Sequence, residues 1–172
     1  MTSRAVPLIW LVAALGFLGA AIVPAWAEGG DSPALAAAMK SATATLQGGL
    51  RASEAEGTPI SAKFEIEDGK LQLSIYTMKG NDFMEVVADP KTGKVVKAEK
   101  ITDAVDLKEA TGQKAAMAKA KVPLVTATET AVNANAGSRA VSIVPGLKNG
   151  QATAEVTLLA GSAFKKVTEK LD

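Results

Sequence analysis

Glu65, Glu67 and Asp68 crowd three carboxylates into four consecutive positions, the densest set of chemically capable side chains in this sequence. Carboxylate oxygens in such a group can hold a hard cation such as calcium, and a carboxylate pair can run acid–base hydrolysis. Their spacing lacks the ligand pattern of an EF-hand loop. Glu65 and Glu67 also alternate with Phe64 and Ile66, so they read as the wet side of a β-strand, and no metal site is assigned. Ser61 and Lys63 lie two apart on one strand face, the arrangement of a Ser-Lys dyad. Nothing in the sequence buries Lys63, so nothing would lower its pKa for that role. The chain contains no histidine and no cysteine. This excludes Ser-His-Asp and Cys-His catalysis, histidine-containing zinc sites, histidine pH switching and a disulfide framework. The sequence therefore assigns no catalytic residue, no cofactor and no metal ligand, and reads as a non-enzyme.

Two basic features point the same way. Gly93-Lys94 superficially suggests phosphate binding, but the Walker pattern is missing and the segment joins two strands. Lys91, Lys94, Lys97 and Lys100 form a local stripe that reads as a lysine-protected edge strand.

The amino-terminal segment sets the compartment. Arg4 precedes an apolar run from Leu8 to Val23, followed by Ala25-Trp26-Ala27, the three-part layout of a secretory signal peptide. The run falls short of the roughly 20 residues that span a bilayer, so cleavage between Ala27 and Glu28 is expected. The product, residues 28–172, would be periplasmic or secreted, without stable membrane insertion. Both tryptophans leave with the signal. Phe64, Tyr76, Phe83 and Phe164 are the remaining aromatics, too few for a nucleobase-stacking platform. Removing Arg4 from 19 basic residues leaves 18 against 18 acidic ones, a balance that gives nucleic acid no electrostatic foothold.

The elements that carry these residues follow from local pattern. Ser32-Pro33 opens a helix with Leu35, Met39, Ala42 and Leu46 on one face, and Gly48-Gly49 is expected to end it. Leu50 to Pro59 reads as a polar connection. Alternating runs on either side of Asp68-Gly69 predict a hairpin, followed by strands from Phe83 to Ala88 and from Val95 to Lys97. Together these make a four-stranded antiparallel meander with one wet face. Phe83 and Val86 are three apart and would face opposite sides of a regular strand. Either a bulge intervenes there or the phenylalanine points away from the core. Asp103 to Lys121 has acids early and lysines late, as a helix dipole favours, with Pro123 as its stop. Thr126-x-x-Glu129 has the pattern of a capping box opening a short helix that Gly137 ends. Strands then run from Ala140 to Val144, from Ala152 to Leu159 and onward from Phe164.

An internal correspondence organises the whole. Asp68-Gly69 recurs as Asn149-Gly150, Gly80 as Gly161, Phe83 as Phe164 and Val86 as Val167, all at one constant offset along the chain. One supersecondary unit used twice explains such a period. Each unit, about 70 residues, is marginal alone, so the two are expected to share buried surface. With the helix, the Phe64–Ile75 hairpin and the closing Asp89-Pro90-Lys91-Thr92-Gly93-Lys94-Val95, the first unit resembles a PepSY domain. The second lacks the closing turn and has one strand fewer. The chain is thus read as α+β, with a signal peptide (1–27), a PepSY-like unit (28–102), a helical linker (103–123) and a shorter PepSY-like unit (124–172). PepSY domains occur in propeptides of secreted metallopeptidases, and the doubled helix-plus-sheet layout is similar to that of secreted β-lactamase inhibitors. The resemblance implies a protein-binding module acting on a peptidase or other envelope enzyme. The alternative is an envelope assembly factor that self-associates through its sheet edges.

Overall fold

The alternation around Asp68-Gly69 folds into an antiparallel pair, β1 (Thr58–Glu67) and β2 (Lys70–Lys79). Asp68 (φ 49°) and Gly69 (φ 74°) both adopt the left-handed conformation that a two-residue turn between right-twisted strands requires. A second hairpin, β5 (Arg139–Lys148) and β6 (Gln151–Ala160), turns in the same way through Asn149 (φ 52°) and Gly150 (φ 81°). The computed structural model describes residues 32–172. The predicted signal peptide and its cleavage site lie outside them.

With β3 (Asp82–Ala88), β4 (Val95–Lys100) and β7 (Ala163–Lys170), the strands form one antiparallel sheet in the order β4-β3-β2-β1-β5-β6-β7. Strand starts recur at the offset seen in the sequence, Thr58 as Arg139 and Lys70 as Gln151, and register shifts follow Pro59 and Ala140 alike. The hairpins meet along β1 and β5, where Ala62 pairs with Ile143 and Lys63 with Ser142. Ala62 and Ile143 are separated by that same offset, so the seam joins corresponding positions.

Helices cover one face of this sheet continuously. Ser32 Oγ accepts the Leu35 N–H (3.1 Å) and opens α1 (Pro33–Ala38), which tightens into a 3-10 turn at Met39–Ser41. The chain then becomes extended at Ala42 and restarts at α2 (Leu46–Ser53), capped by Thr45. Gly48-Gly49 therefore lies inside α2 and does not end a helix, contrary to the sequence expectation. The physical reason at Gly49 is close packing: a Cβ there would sit 2.4 Å from Leu73 Cδ2. Leu50 to Pro59 is likewise no polar connection, since Leu50 is a fully buried α2 residue and Thr58 begins β1. Leu35, Met39, Leu46 and Leu50 join Leu124, Ala127 and Ala131 of α4 (Leu124–Asn133) over Phe64, Leu73, Ile75, Val86, Ile143 and Val156. One core thus runs beneath both hairpins. Pro123 precedes α4, and Thr126 is within it, so the expected capping box is absent; Glu129 instead pairs with Arg51 of α2.

The opposite face is not simply wet. α3 (Ala104–Met117), capped by Asp103, crosses it against β1, β5 and β6, and ends before Pro123. Its Ala110 packs on a smaller cluster of Ile60, Tyr76, Phe83 and Ile101. This resolves the Phe83 question: β2 and β3 pair without a register shift from Met78↔Phe83 to Ile75↔Val86, so Phe83 faces α3 while Val86 faces the main core.

Two polar devices lock the α1–α2 connection. Asp89 Oδ1 accepts from Thr92 N (2.7 Å), Thr92 Oγ1 (2.9 Å) and Lys91 N (3.1 Å), shaping the β3–β4 turn, whose Pro90 carbonyl accepts the Ala44 N–H (3.0 Å). From β5, the Arg139 guanidinium donates to the carbonyls of Ala42 (2.8 Å) and Ala44 (2.6 Å) and lies 5.6 Å from the centre of the Phe64 ring.

Gly49→Ala is expected to destabilise the protein by about 1–3 kcal/mol through overpacking against Leu73. Gly112→Ala, on an α3 position with nothing within 4 Å, is expected to stabilise it by up to about 1 kcal/mol. Urea denaturation of the two variants checks both signs. The hydrogen bonds from Thr92 hold the Asp89 carboxyl below its usual value of 3.8. Its contribution is therefore complete above that value and is lost as pH falls through the lowered one. Asp89→Ala should lower Tm at neutral pH, by a margin that shrinks on acidification below about pH 4.

Candidate functional site

Polar and ionisable groups collect between α3 and the β1–β3 part of the sheet. Alternation on β1 turns Ser61, Lys63, Glu65 and Glu67 toward the α3 side, because Ala62, Phe64 and Ile66 point into the main core. On β2, Gln72, Ser74 and Tyr76 share that side as cross-strand partners of Glu65, Lys63 and Ser61. Glu85 of β3 is opposite Tyr76. From above, α3 brings Asp106 and Glu109.

The carboxylate oxygens of Glu65, Glu67 and Glu85 come within 4.8 Å of one another. Gln72 Nε2 donates to Glu67 and to Ser74 Oγ (2.9 Å). Lys63 Nζ lies 2.5 Å from Glu65 Oε2, and both side chains are only 16% exposed. Lys63 also stabilises the charged forms of Glu85 and Glu109. One lysine thus faces several acids, and its attraction does not fully offset their burial. Desolvation first, then Glu65 and Glu67, push the Glu85 carboxyl above its ordinary value of 4.5. Desolvation and Asp106 do the same to Glu109. Tyr76, 4% exposed, is raised by burial and hydrogen-bonds through its hydroxyl to Asp106. Ser61 Oγ, Glu109 Oε2 and Gln113 Oε1 are buried without a hydrogen-bond partner in the protein.

Of the acids singled out in the sequence, Glu65 and Glu67 converge here. Asp68 is in the hairpin turn and stays exposed. Glu85, Asp106 and Glu109 went unread because they arrive from distant segments; the acids early in α3 were visible only as dipole partners. Ser61 and Lys63 share a face, but the ammonium engages Glu65, which is not the arrangement of a nucleophile and its base. The lysine stripe divides between the β3–β4 turn and the exposed edge strand β4, where Lys97 pairs with Glu99 (2.5 Å) and Lys100 with Asp82 (2.6 Å).

A second feature lies at the sheet end near Gly57 and Gly80. There Leu50, Pro59, Met78, Met117, Pro123 and Leu124 line an open, mainly apolar pocket of about 530 Å³, with Glu54 and Lys79 also in its wall. Its size falls within the range of small-ligand sites.

This architecture of α1, α2 and β1–β4 has a counterpart among known domains. Residues 34–99 match the PepSY family, described as peptidase propeptide and YPEB domain. The PepSY match takes in both first helices, the β1–β3 strands, the Asp89 turn and nearly all of β4. It also contains Lys63, Glu65, Glu67 and Glu85, whereas Asp106 and Glu109 on α3 lie beyond it. No curated protein matches the chain. Among solved structures, a candidate lipoprotein from Clostridium difficile 630 aligns at 13% identity and a TM-score of 0.36, covering 66% of this chain and 75% of its own.

Lys63→Met is expected to leave Glu65, Glu85 and Glu109 without their shared cation and to destabilise the protein by about 2 kcal/mol at neutral pH. The loss should diminish in acid, as Glu85 and Glu109, both held above their ordinary value by burial, become protonated. Thermal melts of both proteins across pH 4–8 measure it.

Proposed function

We propose that this protein is a secreted or periplasmic, non-catalytic protein-binding module that inhibits or chaperones a peptidase or another envelope enzyme. The match of residues 34–99 to a domain of peptidase propeptides carries this reading. The signal-peptide layout of residues 1–27, with cleavage between Ala27 and Glu28, and the lack of histidine and cysteine support it. In this reading, residues 28–102 and 124–172 are two PepSY-like units linked by residues 103–123. The recurrence of β1 and β2 as β5 and β6 at the offset of the sequence repeat supports that division.

Self-association through sheet edges is the second reading. It draws on β4 and β7, whose outer edges pair with no other strand among the described residues. Lysines on both, Lys97 and Lys100 on β4 and Lys165, Lys166 and Lys170 on β7, weigh against edge-to-edge stacking of identical copies.

The test is crosslinked capture with residues 28–172 from an envelope extract of the source cells, followed by turnover assays on any peptidase recovered. Slower turnover, or improved refolding of that peptidase, is the expected result. Recovery of the protein alone, with a concentration-dependent size on chromatography, would replace the binding reading with the assembly one.

A further inference from the structure

The open apolar pocket at the sheet end has a counterpart elsewhere in the fold. Thr58, Met78 and Gly80 of its wall stand at the repeat offset from Arg139, Leu159 and Gly161, which line a smaller pocket of about 320 Å³. The helical walls correspond as well: Met117, at the end of α3, stands at that offset from Ala36 of α1. Each pocket is thus walled on one side by the helix that precedes the other hairpin in the chain.

The two pockets differ in what they can hold. In the smaller one the long Arg139 side chain takes up space, and its guanidinium donates to the carbonyls of Met39 (3.3 Å), Ala42 and Ala44. At the larger one the short, exposed Thr58 stands in place of Arg139. The carbonyl cradle is missing too. Pro123 and Val125, the counterparts of Ala42 and Ala44, belong to the start of α4, where the Pro123 carbonyl accepts the Ala127 N–H (3.0 Å). Leu50, Met78, Met117 and Leu124 give the larger pocket an apolar lining, and its two methionines are half-buried and adaptable. Its volume of about 530 Å³ exceeds a single leucine or phenylalanine side chain. Glu54 and Lys79 stand exposed in the same wall, and neither forms an ion pair among the described residues.

We propose that the larger pocket anchors a peptide segment of the partner protein, whose large apolar side chains enter between Met78 and Met117 while flanking basic and acidic residues meet Glu54 and Lys79. This rests on the protein-binding reading and names the part of the partner that is recognised. Charge selects the occupant. A fatty acid or anionic lipid would suit the apolar lining, but its head group would pair with Lys79 and be repelled by Glu54. A peptide carrying both signs satisfies both. Apolar anchors in a pocket, with charges at its rim, are also how protein interfaces divide affinity from specificity.

Heteronuclear NMR titration of residues 28–172 tests this with the blocked peptide Lys-Ser-Leu-Ser-Leu-Ser-Glu and with the same peptide after exchange of Lys and Glu, which covers both directions of the segment. When extended, its charged and apolar side chains share one face. At least one of the two should give saturable shifts at the amides of Gly57, Lys79, Gly80 and Val125, with no comparable change at Gly161. Serine in place of both leucines should abolish them. Thr58→Arg puts into the larger pocket the residue that occupies the smaller one, and should weaken binding about tenfold or more, with remote amides and Tm unchanged. Glu54→Ala, at an exposed position, should weaken it by a smaller factor. Binding of dodecanoate at these amides with neither peptide binding would overturn the proposal, as would peptide binding that T58R leaves intact. A peptidase captured from the envelope extract that binds T58R as tightly as the unaltered protein would remove the pocket assignment and leave the protein-binding reading standing. Peptide binding lost in T58R, with no envelope protein captured, would do the reverse.

Discussion

The antiparallel seam between β1 and β5 is the constraint on which the rest of the fold depends. It turns two hairpins that would each leave an open edge into the middle of one sheet. Its ladder is short, Ala62↔Ile143 and Lys63↔Ser142. Backbone pairing alone is therefore a weak joint, and burial has to hold it. Phe64 and Ile143 flank the seam on the main-core face, in the core that α1, α2 and α4 cover. Arg139 reinforces it by donating from β5 into the α1–α2 connection. The seam joins Ala62 and Ile143, which stand at the same offset as the starts of the two hairpins, and α2 and α4 lie on the same side of it with their apolar faces merged into one core. A chain with 4% aromatic residues and no disulfide can be stable in this way, because neither hairpin has to bury its surface alone.

The seam also creates the second face. Joining β1 to β5 leaves a broad surface opposite the core, and α3 spans it. The main core is predominantly apolar, its buried Ser53 and Thr128 bonding to carbonyls of their own helices, whereas the α3 interface mixes a small aromatic cluster with carboxylates, a tyrosine, one buried glutamine and Lys63. Buried polar groups of this kind cost stability unless fully satisfied, and here Glu109 and Gln113 are not. The two faces thus differ in chemistry, one closed by apolar packing and the other by a mixture of aromatic and ionisable groups. That difference also falls at a boundary of the PepSY match, which includes the sheet side of the acidic patch and stops before the helix that covers it.

Local chemistry was legible wherever neighbours in the chain settle the outcome. Asp68-Gly69 and Asn149-Gly150 specify their turns through backbone conformations few residues adopt, Ser32 caps the next turn of chain, and alternation places Glu65 and Glu67 opposite Phe64. The class of the fold, α+β with antiparallel strands, followed from these. Gly48-Gly49 misled because a glycine pair is as well suited to a helix pressed against Leu73 as to a helix end. Thr126 misled because a capping pattern has no force once Pro123 has begun the helix.

The order of residues alone settles the hairpins, their recurrence at a constant offset, the lysine-bearing edge and the absence of histidine and cysteine chemistry, because each depends on residue identity or on spacing along the chain. Tertiary packing was needed to join the hairpins edge to edge, to give Phe83 a second cluster, and to bring Glu85, Asp106 and Glu109 to Glu65 across an interface. Those outcomes rest on contacts between segments far apart in the chain, where burial and charge act through space and local pattern carries no record of the partner.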